Sequence, residues 1–238
     1  RVSTRVRPRM LSMFRSNSKG GEQKKRVAIL GGSFDPITDA HLKCAAEIVH
    51  CGVAHEVWLV PCGERPDKPS LKRSTMDRLI MCHLAVNTTF GSGFPVRVMD
   101  SELHHPKALP TWDLLQHLKA TQTDIEPVFV IGSDLVPDLK KWDEGERLWA
   151  EESFIVIDRP GFELEGHALP PNSVKLEPPG KAFTLASQEL SSSDIRKRLA
   201  SQFGESERSA LTARNYALVE GLVPAAVLAH IIRYRLYE

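Results

Sequence analysis

The sequence predicts an α/β protein, a doubly wound parallel sheet with a helical C-terminal part. Three observations carry this. From residue 26 onward, strand-like and helix-like runs alternate, a pattern that builds right-handed βαβ units. The strand-like runs are continuously apolar, as in Val57-Trp58-Leu59-Val60 and Val128-Phe129-Val130-Ile131, and strands buried on both faces read this way. The first run, Val27-Ala28-Ile29-Leu30, ends in Gly31-Gly32 just before a helix-like segment. Open α/β sheets bind ligands at such carboxyl ends, where the strand order switches.

The elements follow in order. Strands are expected at 26–31, 55–60, 95–99, 127–131 and 153–158, and helices near 40–50, 74–87, 111–121 and 142–150. The helix at 74–87 carries Ser74, Arg78-Leu79, Met81 and Leu84-Ala85, and that at 111–121 opens Thr111-Trp112-Asp113-Leu114-Leu115. Residues 160–182 hold five prolines and read as an irregular excursion. A short strand at 182–185 and helices at 192–200, 207–220 and 224–236 complete the chain. Gly221 closes one of these helices and Pro224 opens the next, as the asymmetry of helix ends expects. The sequence thus divides into a basic extension, 1–24, read as disordered, and one domain, 25–238.

Composition narrows the function classes. The 238 residues are 42% hydrophobic and 26% charged, ordinary for a globular chain, and no apolar run reaches membrane-spanning length. Net charge is +1, but residues 1–26 hold nine Lys and Arg against Glu22 alone, leaving 22 basic and 29 acidic residues in the remainder. Such a body is not a nucleic-acid binder by charge, and neither nucleic acid nor membrane is expected as a partner. Cys44, Cys51, Cys62 and Cys82 form no C-x-x-C pair, and no Cys/His spacing suits zinc. No metal ligand is expected, His104-His105 included. A reducing compartment, the cytoplasm, is the expected location. The Arg- and Ser-rich start leaves the nucleus or an organelle as the alternative.

The chemistry concentrates in Gly31-Gly32-Ser33-Phe34-Asp35-Pro36-Ile37-Thr38-Asp39-Ala40-His41. Glycines let backbone N–H groups approach phosphate oxygens, and the following helix N-terminus favours negative charge. A histidine there can donate to a phosphate under attack. No Gly-Lys-Ser/Thr follows, so this is no Walker A loop, and it is not G-x-G-x-x-G either. A second helix N-terminus, Ser191-Ser192-Ser193-Asp194-Ile195-Arg196, offers hydroxyls, free N–H groups and a permanent charge to phosphate, or is simply a serine-capped helix. Ile131-Gly132-Ser133-Asp134 follows another strand. Its carboxylate can accept from ribose hydroxyls or cap a helix.

These motifs resemble the (H/T)xGH nucleotidyltransferases, and Gly32-Ser33-Phe34-Asp35-Pro36-Ile37-Thr38 with His41 resembles the nicotinamide/nicotinate mononucleotide adenylyltransferase family. Ala40 stands where many members have Gly, and Ser193 where this family has Thr. Further segments match in order over roughly 26–238. They are Arg65-Pro66-Asp67-Lys68, the Leu109–Leu115 stretch, Trp142, Arg159-Pro160-Gly161 and Gly221-Leu222-Val223-Pro224. In the Leu109–Leu115 stretch Pro110 replaces an aromatic and Leu114 a threonine.

The resemblance implies a Rossmann-like fold and transfer of AMP from ATP to a pyridine mononucleotide, NMN or NaMN, in NAD biosynthesis. Mg²⁺ would accompany ATP. It assigns catalysis to His41 and Arg196. ATP would be bound by Gly32, Ser33, Phe34, Thr38, His41, Gly132, Asp134, Ser192, Ser193, Ile195 and Arg196. The mononucleotide would meet Lys68, Thr111, Trp112, Trp142 and Arg159, with Trp142 stacked on the pyridine. Lys68 otherwise reads as a solvated lysine and Trp142 as a core aromatic. Both the amide and the acid are expected as substrates. The helix-rich C-terminus is a candidate homo-oligomer interface. The alternatives are another nucleotidyltransferase, such as a phosphopantetheine adenylyltransferase, and a non-catalytic nucleotide-binding protein of the same fold.

Overall fold

A computed structural model describes residues 24–66, 68–159, 161–162, 168–177, 191–200 and 218–237. Six strands form one sheet: β1 (Lys25–Gly32), β2 (Glu56–Pro61), β3 (Val96–Val98), β4 (Ile125–Gly132), β5 (Phe154–Ile157) and β6 (Ser173–Lys175). Their order is β3-β2-β1-β4-β5-β6, and every pairing is parallel. Around them lie α1 (Asp39–His50), α2 (Thr75–Thr89), α3 (Thr111–Thr121), α4 (Gly145–Glu151), α5 (Ser192–Ala200) and α6 (Ala225–Arg233), with a 3₁₀ helix at Ser133–Lys141.

The two-residue period of a strand divides the apolar side chains between two cores. Ala28 and Leu30 of β1, Val57 and Leu59 of β2, and Val128 and Val130 of β4 pack with Leu42, Met81, Ile195 and Val227. Their alternates Val27, Ile29, Trp58, Val60, Phe129 and Ile131 pack with Trp112, Leu115, Leu139 and Leu148. Each central strand therefore needs apolar residues on both faces, hence the unbroken runs. Strand order reverses between β1 and β4, which lie side by side. Their carboxyl ends, Gly32 and Gly132, open the crevice where such sheets take ligands.

Four expectations change. The excursion over 160–182 contains a sixth strand, β6, whose Val174 pairs with Ile155. The helix expected over 142–150 starts at Gly145, and the 3₁₀ helix occupies the chain before it. Its buried residues Ser133, Val136 and Leu139 recur every third position, which is the 3₁₀ repeat, and Pro137 has no N–H to support an α-turn. Gly145 is required at the junction, since a Cβ there would lie 2.5 Å from the carbonyl oxygens of Leu139 and Lys140. Of the helix expected over 207–220, the described residues 218–220 form a turn and bridge. The last helix stops at Arg233, because Arg235 and Tyr237 take left-handed backbone angles, φ 50° and 74°. The strand expected at 182–185, the rest of the 207–220 helix and the extension before residue 24 lie outside the described residues.

Candidate active site

Local sequence fixes the histidine at the end of β1. Thr38 is the N-cap of α1, in extended conformation, and His41 is the third residue of the helix. The ring reaches back as the acid of a capping box would. The Thr38 backbone N–H donates to Nδ1 at 3.0 Å, and the Thr38 hydroxyl lies 2.8 Å from the same nitrogen. With Nδ1 accepting, the proton resides on Nε2, the nitrogen left for a ligand. Burial, and secondarily the positive charge of Arg159, push the imidazole down to about 4. His41 is thus a neutral donor at physiological pH. Phe34, with φ 46°, sets its ring edge-on to the imidazole at 5.1 Å. Gly32 leaves room for it, since a Cβ there would stand 3.1 Å from the Phe34 ring. Thr38 and Phe34, both expected to touch ATP, are buried and act here by holding His41.

The turn between β1 and α1 is braced from three directions. From α5, Arg196 donates to the Asp35 carbonyl at 2.7 Å and to Ser193 Oγ at 3.0 Å, and Ser192 Oγ donates to the Pro36 carbonyl at 2.8 Å. The second motif therefore lies on the first, across more than 150 residues of sequence. Ile195 does not face the turn. Its side chain is buried in the core and its N–H donates to the Ser191 carbonyl.

From beneath comes Arg78, fully buried on α2, which donates to the carbonyls of Ser33 (2.8 Å), Gly63 (3.1 Å) and Arg73 (3.2 Å). From the C-terminus comes Tyr237, whose hydroxyl donates to Asp35 Oδ1 at 2.6 Å. Asp35 Oδ2 accepts the Lys72 N–H at 2.7 Å. The sequence assigns no role to Asp35 or Tyr237, and gives Arg78 only as a residue of the helix expected at 74–87. An arginine on the apolar stripe of α2, among Thr75, Leu79, Met81, Cys82 and Ala85, was the available signal.

Gly132, at the end of β4, makes room for two charged side chains. A Cβ there would fall 2.3 Å from Asp134 Oδ1 and 3.1 Å from Arg159 Nε. Asp134 Oδ1 is buried without a hydrogen-bond partner among the described residues, with Arg159 Nε at 3.7 Å. An unpaired buried acceptor of this kind suits a ligand hydroxyl. Asp134 caps no helix by its side chain. Arg159, expected at the mononucleotide, sits instead beside Gly132 and Asp134 and within electrostatic reach of His41.

Across the switch point lies a cavity of about 560 Å³ whose lining includes Glu64, Arg65, Leu109, Pro110, Thr111 and Trp142. Trp142 stands edge-on to Phe129 at 6.5 Å and is half-buried. Thr111 and Trp142 therefore meet here as expected neighbours. Trp112 does not join them. Its indole is buried in the core with the Arg147 guanidinium 4.1 Å from its centre. Lys68 Nζ donates to Ser33 Oγ at 3.1 Å, so it stands over the glycine turn. Glu102 ties the cavity's two loops together, accepting from the N–H groups of Gly63 (2.9 Å) and Leu109 (2.8 Å). Burial pushes its carboxyl up.

Among the described residues no three His, Cys, Asp or Glu side chains gather closely enough to hold a metal ion. No helix among them is long and apolar enough to cross a membrane.

Residues 29–198 match the family model for cytidylyltransferase-like proteins. A probable nicotinate-nucleotide adenylyltransferase of Herpetosiphon aurantiacus is 32% identical over 90% of this chain and 98% of its own. The one from Symbiobacterium thermophilum is 32% identical over 89% and 95%. The Plasmodium falciparum nicotinic acid mononucleotide adenylyltransferase, solved in complex with NaAD, superposes with a TM-score of 0.70 at 31% identity, over 90% of this chain and 97% of that one.

Proposed function

The chain belongs to the cytidylyltransferase-like family, and we propose that it is the adenylyltransferase that joins ATP to nicotinic acid mononucleotide, giving deamido-NAD and pyrophosphate in NAD biosynthesis. One observation carries this reading. A neutral Nε2–H donor on His41 and the cationic Arg196 share one glycine turn, and the cavity of Thr111 and Trp142 is lined by the loop that follows β2, the strand paired with β1.

A phosphate oxygen of the mononucleotide attacks the α-phosphorus of ATP. A P–O bond forms there, the bond to the bridging oxygen breaks, and pyrophosphate leaves with its electron pair. The nucleophile is already an anion, so no general base is needed, and catalysis is alignment plus charge stabilisation. His41 donates Nε2–H to an α-phosphate oxygen as charge grows there. Being neutral, it does so without giving up its proton. Arg196, with Ser192 and Ser193, takes the β- and γ-phosphates. Asp134 accepts from the ribose, and Arg159 adds positive charge beside His41. Mg²⁺ would enter with the ATP substrate and would offset the charge of its phosphates.

The acid is the preferred acceptor. Helix α3 begins at Thr111, which lines the cavity, behind Pro110 and with no side-chain cap. A helix N-terminus favours a carboxylate over an amide. The relatives named above are nicotinate enzymes, which supports the same choice. Pyrophosphate release from ATP with each mononucleotide tests this. Turnover with the acid at a higher kcat/KM than with the amide is expected, and no release with either refutes the reading.

A further inference from the structure

Beside Arg196 lies a second cavity, about 530 Å³, lined by Ser70, Lys72, Arg73, Ser193, Lys197 and Tyr237 as well as Arg196 itself. Among the described residues that line it, four of seven are cationic and none is acidic. Lys197 leans toward Asp194 at 3.7 Å, whereas Arg73 has no carboxylate partner among the described residues. Its Nε is buried and meets no acceptor there. A guanidinium left in that state inside a cation-lined cavity lacks an anion.

Its placement is constructed. The Arg73 carbonyl is held by Arg78 Nε at 3.2 Å, and the neighbouring Lys72 N–H by Asp35 Oδ2 at 2.7 Å. The guanidinium itself lies over the Tyr237 ring, 5.1 Å from its centre, a favourable cation–π placement. Tyr237 is buried, and its hydroxyl is bound to the other oxygen of Asp35. Two non-glycine residues, Arg235 and Tyr237, hold left-handed backbone angles to bring that ring in. Such conformations persist only where surrounding contacts impose them. Asp35 thereby fixes the backbone before Arg73, the ring beneath it and, through its carbonyl, Arg196.

We propose that Arg73 is a further binding residue for the polyphosphate end of the nucleotide and for the departing pyrophosphate, and that Tyr237 is a positioning residue that aims it. The inference rests on the adenylyl-transfer reading for the identity of the ligand, and on the cavity alone for its chemistry.

The test uses the full chain and inorganic tripolyphosphate as the probe, measured by calorimetry, together with KM values for ATP and nicotinic acid mononucleotide. Arg73→Gln removes the charge and keeps the stem. It should weaken tripolyphosphate and raise the KM for ATP by roughly tenfold, the scale of one charged hydrogen bond, with the KM for the mononucleotide little changed. Tyr237→Leu removes the ring and should act in the same direction. Tyr237→Phe keeps the ring and should bind tripolyphosphate nearly as wild type does. Unchanged tripolyphosphate affinity in Arg73→Gln overturns the proposal. So does equal weakening of all ligands with a fall in Tm, or a Tyr237→Phe defect as large as that of Tyr237→Leu. Arg73→Gln decides the matter even where Tyr237→Leu does not fold. Wild-type protein that binds tripolyphosphate yet releases no pyrophosphate would instead sink the adenylyl-transfer reading and leave the anion cavity standing.

Discussion

Replacing His41 by Ala isolates one hydrogen bond. The ring is held at Nδ1 by Thr38, at 3.0 Å from the backbone N–H and 2.8 Å from the hydroxyl, so Nε2–H is the group the reaction loses. Loss of one preorganised donor to a developing oxyanion costs about 2.7–4 kcal/mol of transition-state stabilisation, a fall in kcat of about 10²–10³-fold. The KM for ATP should move far less. Since His41 is neutral above about pH 4 in the free protein, the ratio of wild-type to variant kcat/KM for ATP should stay flat between about pH 5 and 8. Taking the ratio cancels the titration of the mononucleotide's own phosphate near pH 6. An imidazolium catalyst would make that ratio fall as pH rises through about 6.5. A near-normal kcat in His41→Ala, or a ratio that falls in that way, refutes the mechanism.

The same residue makes a stability prediction with a definite sign. Its folded-state value is lowered from 6.5 to about 4, so between those values the unfolded chain binds the proton and the folded one does not. The stabilisation is complete above 6.5, is lost as pH falls toward about 4, and amounts to at most about 3 kcal/mol. Urea denaturation of wild type and His41→Ala across that window should show a slope in the first that is shallower in the second. Parallel curves would mean that the imidazole is protonated in the fold.

Trp142→Ala should raise the KM for the mononucleotide while sparing that for ATP. Phe should restore much of the loss, because the aromatic share is roughly 0.5–1.5 kcal/mol; equal weakening of both substrates with a lower Tm would return Trp142 to the core. Gly132→Ala brings a Cβ to 2.3 Å from Asp134 Oδ1 and 3.1 Å from Arg159 Nε, both near the free ends of side chains. Thermal unfolding should be little changed and the KM for ATP raised, and an unchanged KM would deny Asp134 a place in nucleotide binding. Arg78→Met leaves the Ser33, Gly63 and Arg73 carbonyls without their donor. At about 1–3 kcal/mol for each stranded group it should cost several kcal/mol in chemical denaturation, and a neutral result would show that water replaces the guanidinium.

The sheet was legible because burial on both faces leaves no polar position. Val57 to Val60 announce a central strand unaided. Strand β6 was not legible: three residues, Ser173–Lys175, with only intermediate or exposed burial, carry too little apolar signal among prolines. The 3₁₀ helix went unseen because its buried positions repeat every third residue while its neighbours are charged. In the candidate site, His41, Arg196 and the Ser192/Ser193 pair were expected from functional-group chemistry at helix N-termini, and the fold gathers them around one turn. Thr38 and Phe34 read as ligand contacts, yet the fold buries them against His41. Arg159 lies 25 residues beyond Asp134 in sequence, and only the pairing of β5 with β4 sets them side by side.

What no local pattern could disclose is the role of Asp35. Its neighbour proline and the glycine turn make it read as a turn residue, and among the described residues it is met by Lys72, by Arg196 twice and by Tyr237. Lys72 precedes α2, Arg196 is in α5 and Tyr237 follows α6, and three of the contacts are to a carboxylate buried completely. Such a group is stable only when every partner is in place. Asp35 therefore makes assembly of the glycine turn conditional on docking of the segment before α2, α5 and the turn after α6 together. Under the proposed reading, that arrangement would preorganise donors drawn from separate parts of the chain before substrate arrives. Asp35 meets Arg196 and the Lys72 N–H beside Arg73, Arg78 holds the carbonyls of Ser33 and Arg73, and Thr38 holds His41; electrostatic catalysis of phosphoryl transfer draws its force from donors that need not move.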